Sequence, residues 1–577
     1  RIKLGNIHKK NNLLTTTDDL LNSIKKIESD PIGLEVMWSR MINITEECWQ
    51  TVIKTAFSLV IGEAQDFGCE ILDSKGNQIV HSPRAMPVFN LTLPIAVKAM
   101  IDSFPTQTLK KGDILATNDP WLCAGHAYDI AVAAPVFYNN RVVAFVGVVG
   151  HVSDIGGTLN HLKAQEIYEE GLQIPPTKLF VEGKPNQDIF NIIRENVRNP
   201  DQVLGDIHAL VSACLTGSER IIEFMQEYGM NDLESFALVV QKRAEIAMRK
   251  AIKKLPDGIY KNTIKGDGIK ETLNYPVKII VKNDNIEVDY KGAPPQTKQG
   301  GSNCTFSYSA AHTAYALKCI LTPEVPSNIG CYKPMSFKAP KGSIFNCDKP
   351  MAVNTRIRSG WYIAPNIFLA LSKASPKNVI AYIGLPSMIE VYGFDKNNKS
   401  YHDHLFQGGG QGGSIHRDGK SGVLYPTSAA NTSVEMFENR APILVICKEF
   451  VIDSAGAGYK RGGLGQIVKI RKLYDDKIIS KAGIYPNGIM SPTNGLFGGK
   501  PSLVAKAWFI NRNNKKIDLG TGGIIDLISP KEVACLRLAG GSGYGNPRKR
   551  KIKDIKNDLK EEYVSLTKAT KDYGYSK

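Results

Sequence analysis

The sequence predicts an α+β, multidomain chain that mixes helices and strands throughout. Three observations lead there. At 577 residues the chain is far longer than one hydrophobic core requires. Its 42% apolar and 22% charged content is that of an ordinary globular protein. Helical and strand-like periodicities alternate as far as residue 254, after which short alternating strands and glycine clusters take over.

The elements follow in order. A polar N-terminal arm occupies residues 1–29. "SDPIGLEVMWSRMINITEECWQTVIKTAF" then reads as a long helix, with Asp30 able to cap it and Pro31 suited to its first turn. Leu34, Met37, Met41, Ile42 and Ile44 recur at helical spacing. "DFGCEILDSKGNQIVHSP" is a hairpin turning at Lys75-Gly76-Asn77, and "LPIAVKAMIDSF" is a second helix. "KGDILATNDP", "DIAVAAPVF" and "RVVAFVGVVGHV" supply buried strands. Helical patterns recur at 164–170, 187–197 and 201–253, which closes a first α/β domain over 30–255. The region 256–546 is a strand-rich α+β unit, with helices at "NCTFSYSAAHTAYALKCILTP" and "SGWYIAPNIFLALSKASP". Residues 547–577 form a charged helical tail.

A net charge of +16 raises the question of nucleic acid, and its distribution answers it. Residues 1–10 carry +4 and residues 548–577 carry +5, leaving +7 over the long body between them. The body has no basic reading element, so solvated basic tails are expected and no nucleic-acid partner. No apolar run is long enough to span a bilayer, and "RIKLGNIHKKNNLLTTTDDLL" has no signal-peptide core. Ten cysteines contain no C-x-x-C pair, which speaks against a zinc ribbon and for reduced thiols in a cytoplasmic protein.

Two glycine-rich stretches mimic phosphate sites. "GGGQGG" contains G-x-G-x-x-G at Gly408, Gly410 and Gly413, yet loop chemistry follows it instead of a helix. "NGLFGGKPS" has Asn494 where a P-loop needs glycine, and Pro501 where it needs a hydroxyl. Close backbone packing is the expected role of these glycines. No G-x-S-x-G elbow is present, and Cys123 is the one thiol placed to act as a nucleophile near a histidine.

"NDPWLCAGHAYDIAVAAPVF" sets His126 and Asp129 three residues apart at the mouth of a strand. His151 opens "GHVSDIGG" 22 residues later, one hairpin's traverse and return. The three can form a facial triad for a divalent cation, with Asp66 as a fourth donor at the head of "DFGCEILD". The N-terminal half is therefore metal-bearing. Imidazole with carboxylate suits zinc, manganese or iron. Asp154 repeats the His-x-x-Asp spacing after His151 and is expected as a base or as an acceptor from a ligand histidine. "YHDHLF" offers a second cluster of His402, Asp403 and His404.

Together, "TNDPWLCAGHAYDIAVAAPVF", "GHVSDIGG", "EAQDFGCEILD", "EEGLQIPPTKL", "NVRNPDQVLGDIHA", "YALKCILTPEVPSNIGCYKP", "NTSVEMFENRAP", "DSAGAGYKRGGLG" and "LAGGSGYGNP" resemble, in collinear order, the hydantoinase B/oxoprolinase family. That resemblance implies a hydantoinase A-type partner subunit that handles ATP and phosphorylates an amide or enolate oxygen. It places the family's metal ligands on Asp66, His126, Asp129 and His151. Two branches of chemistry follow. One carboxylates acetone or acetophenone with bicarbonate; the other opens cyclic amides such as hydantoins, 5-oxoproline or lactams. Trp121 and Val152-Ser153 depart from the hydrolase spellings "NDPYxGGTHLxD" and "GHHADIGG", so the carboxylase branch is expected first. A non-catalytic scaffold subunit is the rival of another class.

Overall fold

In the computed structural model, residues 17–269, 271–490 and 494–576 are described. The chain opens with three helices, α1 (Thr17–Ser29), α2 (Pro31–Thr55) and the one-turn α3 (Leu59–Gly62). The Asp30 carboxylate accepts from the Gly33 amide at 2.8 Å, the cap that the sequence offered. Leu34, Met37, Met41 and Ile44 are buried along one stripe, and Ile42 lies at its margin.

Seven antiparallel strands follow: β1 (Phe67–Asp73), β2 (Gln78–His81), β3 (Ile114–Thr117), β4 (Asp129–Tyr138), β5 (Arg141–His151), β6 (Thr177–Val181) and β7 (Lys184–Pro185). Their order in the sheet is β2-β1-β5-β4-β3-β6-β7. β4 and β5 form one hairpin, turning through Asn139 and Asn140, both at positive φ as a tight two-residue turn demands. Between β2 and β3 lies α4 (Phe89–Ser103), which begins four residues before the expected Leu93 because Pro94 does not stop it. Proline removes the amide that would bond the Asn90 carbonyl, and Gln78 Nε2 donates to that carbonyl instead, at 2.8 Å.

The expected helix at 164–170 is a single turn over Ile167–Glu169. Glu170 turns inward to accept from the Val353 and Asn354 amides, which pins this segment to a distant one. The expected helix at 201–253 is two, α6 (Pro200–Glu227) and α7 (Glu234–Ile252), with α5 (Gln187–Asn196) before them. Gly229, at φ +61°, turns the chain between α6 and α7. α2 and α6 pack on one face of the seven-stranded sheet, with Cys48, Trp49, Val146 and Leu210 in their shared core.

After α7 come β8 (Gly258–Asp267), β9 (Thr272–Lys282), β10 (Asn285–Asp289), α8 (Phe306–Leu321), α9 (Ile329–Tyr332) and β11 (Met335–Lys338). Then follow α10 (Ile357–Gly360), α11 (Ile363–Leu371), β12 (Ser387–Phe394) and β13 (Ser400–Gln407). β8–β11 make one four-stranded sheet, and β12 and β13 lie together in another. A single apolar core runs from Leu72 on β1 through Tyr275 and Tyr308 to Tyr544, so side chains on both sides of residue 255 share one interior.

The glycine clusters carry backbone against backbone. A Cβ at Gly410 would stand 2.0 Å from the Gly463 carbonyl, and one at Gly462 would stand 1.8 Å from that of Gly541. Only glycine permits such approach. The C-terminal segment is not a solvated tail: Arg550 is buried, forked onto Asp418 at 2.7 and 2.9 Å and onto Asp558 at 2.7 Å. Burial of a guanidinium is tolerated because each face of its charge is paired. Helix there is confined to Ile552–Lys560 and short turns on either side of it. The basic residues 1–10 lie outside the described residues.

Candidate metal centre

β1, β5 and β4 lie side by side, and their ends coincide. Asp129, the first residue of β4, is paired in register with His151, the last residue of β5. The His151 amide donates to the Asp66 carbonyl at 3.0 Å, just ahead of β1. His126 sits in the loop that enters β4. Hydrogen bonding of the sheet thus brings all four sequence-proposed side chains to one place.

His126 Nε2 is 3.1 Å from Asp129 Oδ2, and His151 Nδ1 is 3.5 Å from Asp129 Oδ1 and 3.8 Å from Asp66 Oδ2. Donor atoms of His126, Asp129 and His151 all lie within 4.8 Å of one another. Tyr128 stacks on His151, ring centroids 5.1 Å apart, and fixes its plane. All four side chains are buried, yet His126 Nε2, Asp129 Oδ1 and Asp66 Oδ1 form no hydrogen bond. Buried polar atoms are rarely left without partners. Two imidazoles and two carboxylates with such atoms turned to a common point suit zinc, manganese or iron.

The electrostatics keep the donors ready. Burial holds the His126 imidazole down to about 3, with the Arg356 guanidinium adding to the effect. Burial raises the Asp66 carboxyl to about 6, against the pull of His151. Burial would raise Asp129 too, but His126 and Arg356 overcome it and hold this carboxylate well below its ordinary range. Asp129 differs from Asp66 chiefly because His126 lies 3.1 Å from it, with the Arg356 guanidinium at 2.8 Å adding to the pull.

Arg356 was invisible to sequence reading. Its Nη2 donates to Asp129 Oδ2 at 2.8 Å, its Nε donates to the Ala124 carbonyl at 2.7 Å, and it lies 4.5 Å over the Tyr308 ring. It occupies one oxygen of Asp129 and leaves the other open. "NTRIRSG" carries no periodic or spacing signal that would single it out.

A second group faces the first. His402 and His404 project from one face of β13, and Glu390 on β12 is the register partner of His404. His404 Nε2 is 3.3 Å and His161 Nε2 is 3.5 Å from Glu390 Oε1. Burial holds His402 down to about 4; Glu390 lies well below its ordinary range because the two histidines beside it outweigh its burial. Asp403 alternates to the other face of β13, toward Gln202 and Asp206, so Glu390 completes this cluster and Asp403 does not. The His151 and His404 rings are 6.4 Å apart. Asp66, His126, His151, His161 and Glu390 line one cavity, walled elsewhere by Met86, Phe89, Trp361 and Leu424.

Asp154 does not line that cavity. It is fully buried and accepts from the Arg198 backbone amide, from Arg198 Nη1 at 2.8 Å and from the Gly156 amide at 3.2 Å. Its nearest histidine is His402, whose Nδ1 lies 3.8 Å away. Cys123 is buried with its thiol pushed far up by desolvation, which removes it as a nucleophile.

Fold and site together define a chain of mixed α+β architecture with a cavity lined by histidines and carboxylates. The chain belongs to the hydantoinase B/oxoprolinase family, whose sequence profile matches residues 30–547. A protein of Pseudomonas sp. (strain NS671), provisionally named as the B component of a D-/L-hydantoinase, is 28% identical over 96% of this chain and 95% of its own. The beta chain of the Pseudomonas jessenii caprolactamase is 28% identical over 94% of this chain and 96% of its own. A crystal structure of that organism's ATP-dependent caprolactamase superposes with a TM-score of 0.87 at 26% identity, covering 94% of this chain and 96% of its own. A nucleotide-free acetone carboxylase structure shares the fold, with a TM-score of 0.85 at 18% identity over 96% of this chain and 81% of its own. No helix among the described residues is long and apolar enough to cross a membrane.

Proposed function

We propose that this chain is the metal-bearing subunit of an ATP-dependent, hetero-oligomeric enzyme that opens a cyclic amide. The observation that carries the proposal is the clustering of Asp66, His126, Asp129 and His151 beside one cavity that Asp66, His126 and His151 line, with atoms of Asp66, His126 and Asp129 left without a hydrogen bond. A divalent zinc, manganese or iron ion held there would supply Lewis-acid polarisation of a carbonyl or phosphoryl oxygen. Arg356 fixes Asp129, and Tyr128 fixes His151, so the donors are set before substrate arrives. Met86, Phe89, Trp361 and Leu424 offer an apolar wall for the methylenes of a small ring and keep bulk water from it.

The glycine clusters are packed against backbone, so ATP is assigned to a hydantoinase A-type partner subunit. Phosphorylation of the amide oxygen there makes the ring carbon electrophilic. Addition of water and cleavage of the C–N bond free the amine and leave an acyl phosphate, which a second water hydrolyses to carboxylate and phosphate. A cytoplasmic location accords with ten unpaired thiols, eight of them buried.

Ketone carboxylation with bicarbonate is the second reading, favoured by Trp121 and by Val152-Ser153. Yet Trp121 donates its indole N–H to the Cys347 carbonyl at 3.2 Å, in a small cluster with Ile167 and Val353. Val152 is in the core. These spellings record packing, and the caprolactamase and hydantoinase likenesses are closer than the carboxylase one, so the hydrolase reading comes first. The chain, its A-type partner and ATP, incubated with lactams and hydantoins and in parallel with ketones and labelled bicarbonate, decides it. Ring-opened acid is expected; label fixed into acid from a ketone alone would establish the carboxylase instead. The isolated chain is expected to hydrolyse no ATP, and robust ATPase activity would refute this division of labour.

A further inference from the structure

We propose that Glu390, His402 and His404 form a second divalent-cation site beside the first, the His404 and His151 rings 6.4 Å apart. The backbone makes it. Two residues apart on β13, His402 and His404 share a face, and antiparallel register sets Glu390 directly opposite His404. One donor atom from each of the three lies within 4.8 Å of the others. Two imidazoles and a carboxylate suit zinc, manganese, iron or cobalt.

A packed structural cluster would pair these atoms with one another. Here both ring nitrogens of His402, both of His404 and Glu390 Oε2 are buried without a hydrogen bond. His404 Nε2 comes within 3.3 Å of Glu390 Oε1, while Glu390 Oε2 stays free. A cation would take one nitrogen from each ring and an oxygen of Glu390, giving three of these buried atoms a partner. The surroundings are those of a ligand set. Asp154, anchored by Arg198, stands 3.8 Å behind His402 Nδ1, where a carboxylate steers a ligating imidazole. His161 backs Glu390 at 3.5 Å and is itself oriented by Asn354, whose Nδ2 is 3.0 Å from His161 Nδ1. Asp154 is therefore a positioning residue for this second group, which gives the repeated His-x-x-Asp spacing a purpose.

The site stands whatever reaction the cavity performs. Its test is a titration of the full, chelator-stripped chain with Co²⁺, followed by d–d absorption and by metal content after desalting. Two equivalents are expected to bind. His402→Ala/His404→Ala and, separately, His126→Ala are each expected to bind one, and with different spectra lost. Should the double variant fail to fold, Glu390→Gln, equal in size, carries the same test and is expected to weaken one equivalent by about tenfold or more. A single equivalent in the unaltered chain that His126→Ala abolishes would overturn the proposal, as would two equivalents bound undiminished in Glu390→Gln. If His126→Ala keeps both equivalents, the reading of the first centre fails while this one stands.

Discussion

Asp129 and His151 face each other as register partners at the open end of the β4–β5 hairpin, Oδ1 to Nδ1 3.5 Å apart. One tight turn at Asn139-Asn140 therefore fixes the distance between two donors that stand 22 residues apart in the chain. Two of the four side chains are thus set by strand pairing, and His126 and Asp66 stand just ahead of β4 and β1.

His126→Ala and His151→Ala are each expected to lose one equivalent of bound metal and to lower turnover by about two orders of magnitude or more. The fold is expected to survive, because neither ring anchors the core clusters. Metal analysis with circular dichroism checks this. Full metal content in either variant would mean the donors are misassigned.

Arg356 pairs with a buried carboxylate, so Arg356→Ala leaves only His126 and His151 to offset the burial of Asp129. A loss of about 3 kcal/mol in unfolding free energy is expected without metal, read by urea denaturation. Added Zn²⁺ is expected to recover part of it in the variant, since the cation takes over the pairing.

Cys123→Ala is expected to keep turnover within about twofold and to cost about 1 kcal/mol of stability, the result of a small buried void. A loss of turnover with metal content intact would bring back thiol chemistry.

Glu170 gives a pH signature of its own. Burial raises its carboxyl to about 7, against the two amide hydrogen bonds from Val353 and Asn354. The folded state then holds a proton that the unfolded state releases near its ordinary value, so stability falls as pH rises from about 4.5 to 7. Relative to Glu170→Gln, the unaltered protein is expected to lose about 3 kcal/mol across that window, read as the difference between two urea series. Parallel pH profiles would show that the carboxylate is already ionised at the low end.

What the sequence disclosed was what local rules encode. Asp30 and Pro31 announced α2, the Lys75-Gly76-Asn77 turn announced β1–β2, and His-x-x-Asp with a returning histidine pointed to three side chains that the fold brings together. Arg356 and Glu390 were hidden because each reaches its site from an element far along the chain, with no periodic companion. His402 and His404 were visible as a pair, yet adjacency in sequence suggested Asp403 as the third member, where strand alternation turns it away. The missing helix at 164–170 has the same origin, since Glu170 answers to the Val353 and Asn354 amides and not to its own neighbours.

Anomalous diffraction from crystals of the metal-loaded protein tests the central claim most directly. A peak is expected about 2.0–2.3 Å from a nitrogen of His126, a nitrogen of His151 and carboxylate oxygens of Asp66 and Asp129. Crystals soaked in excess zinc or manganese that show no peak among those four side chains would contradict the account.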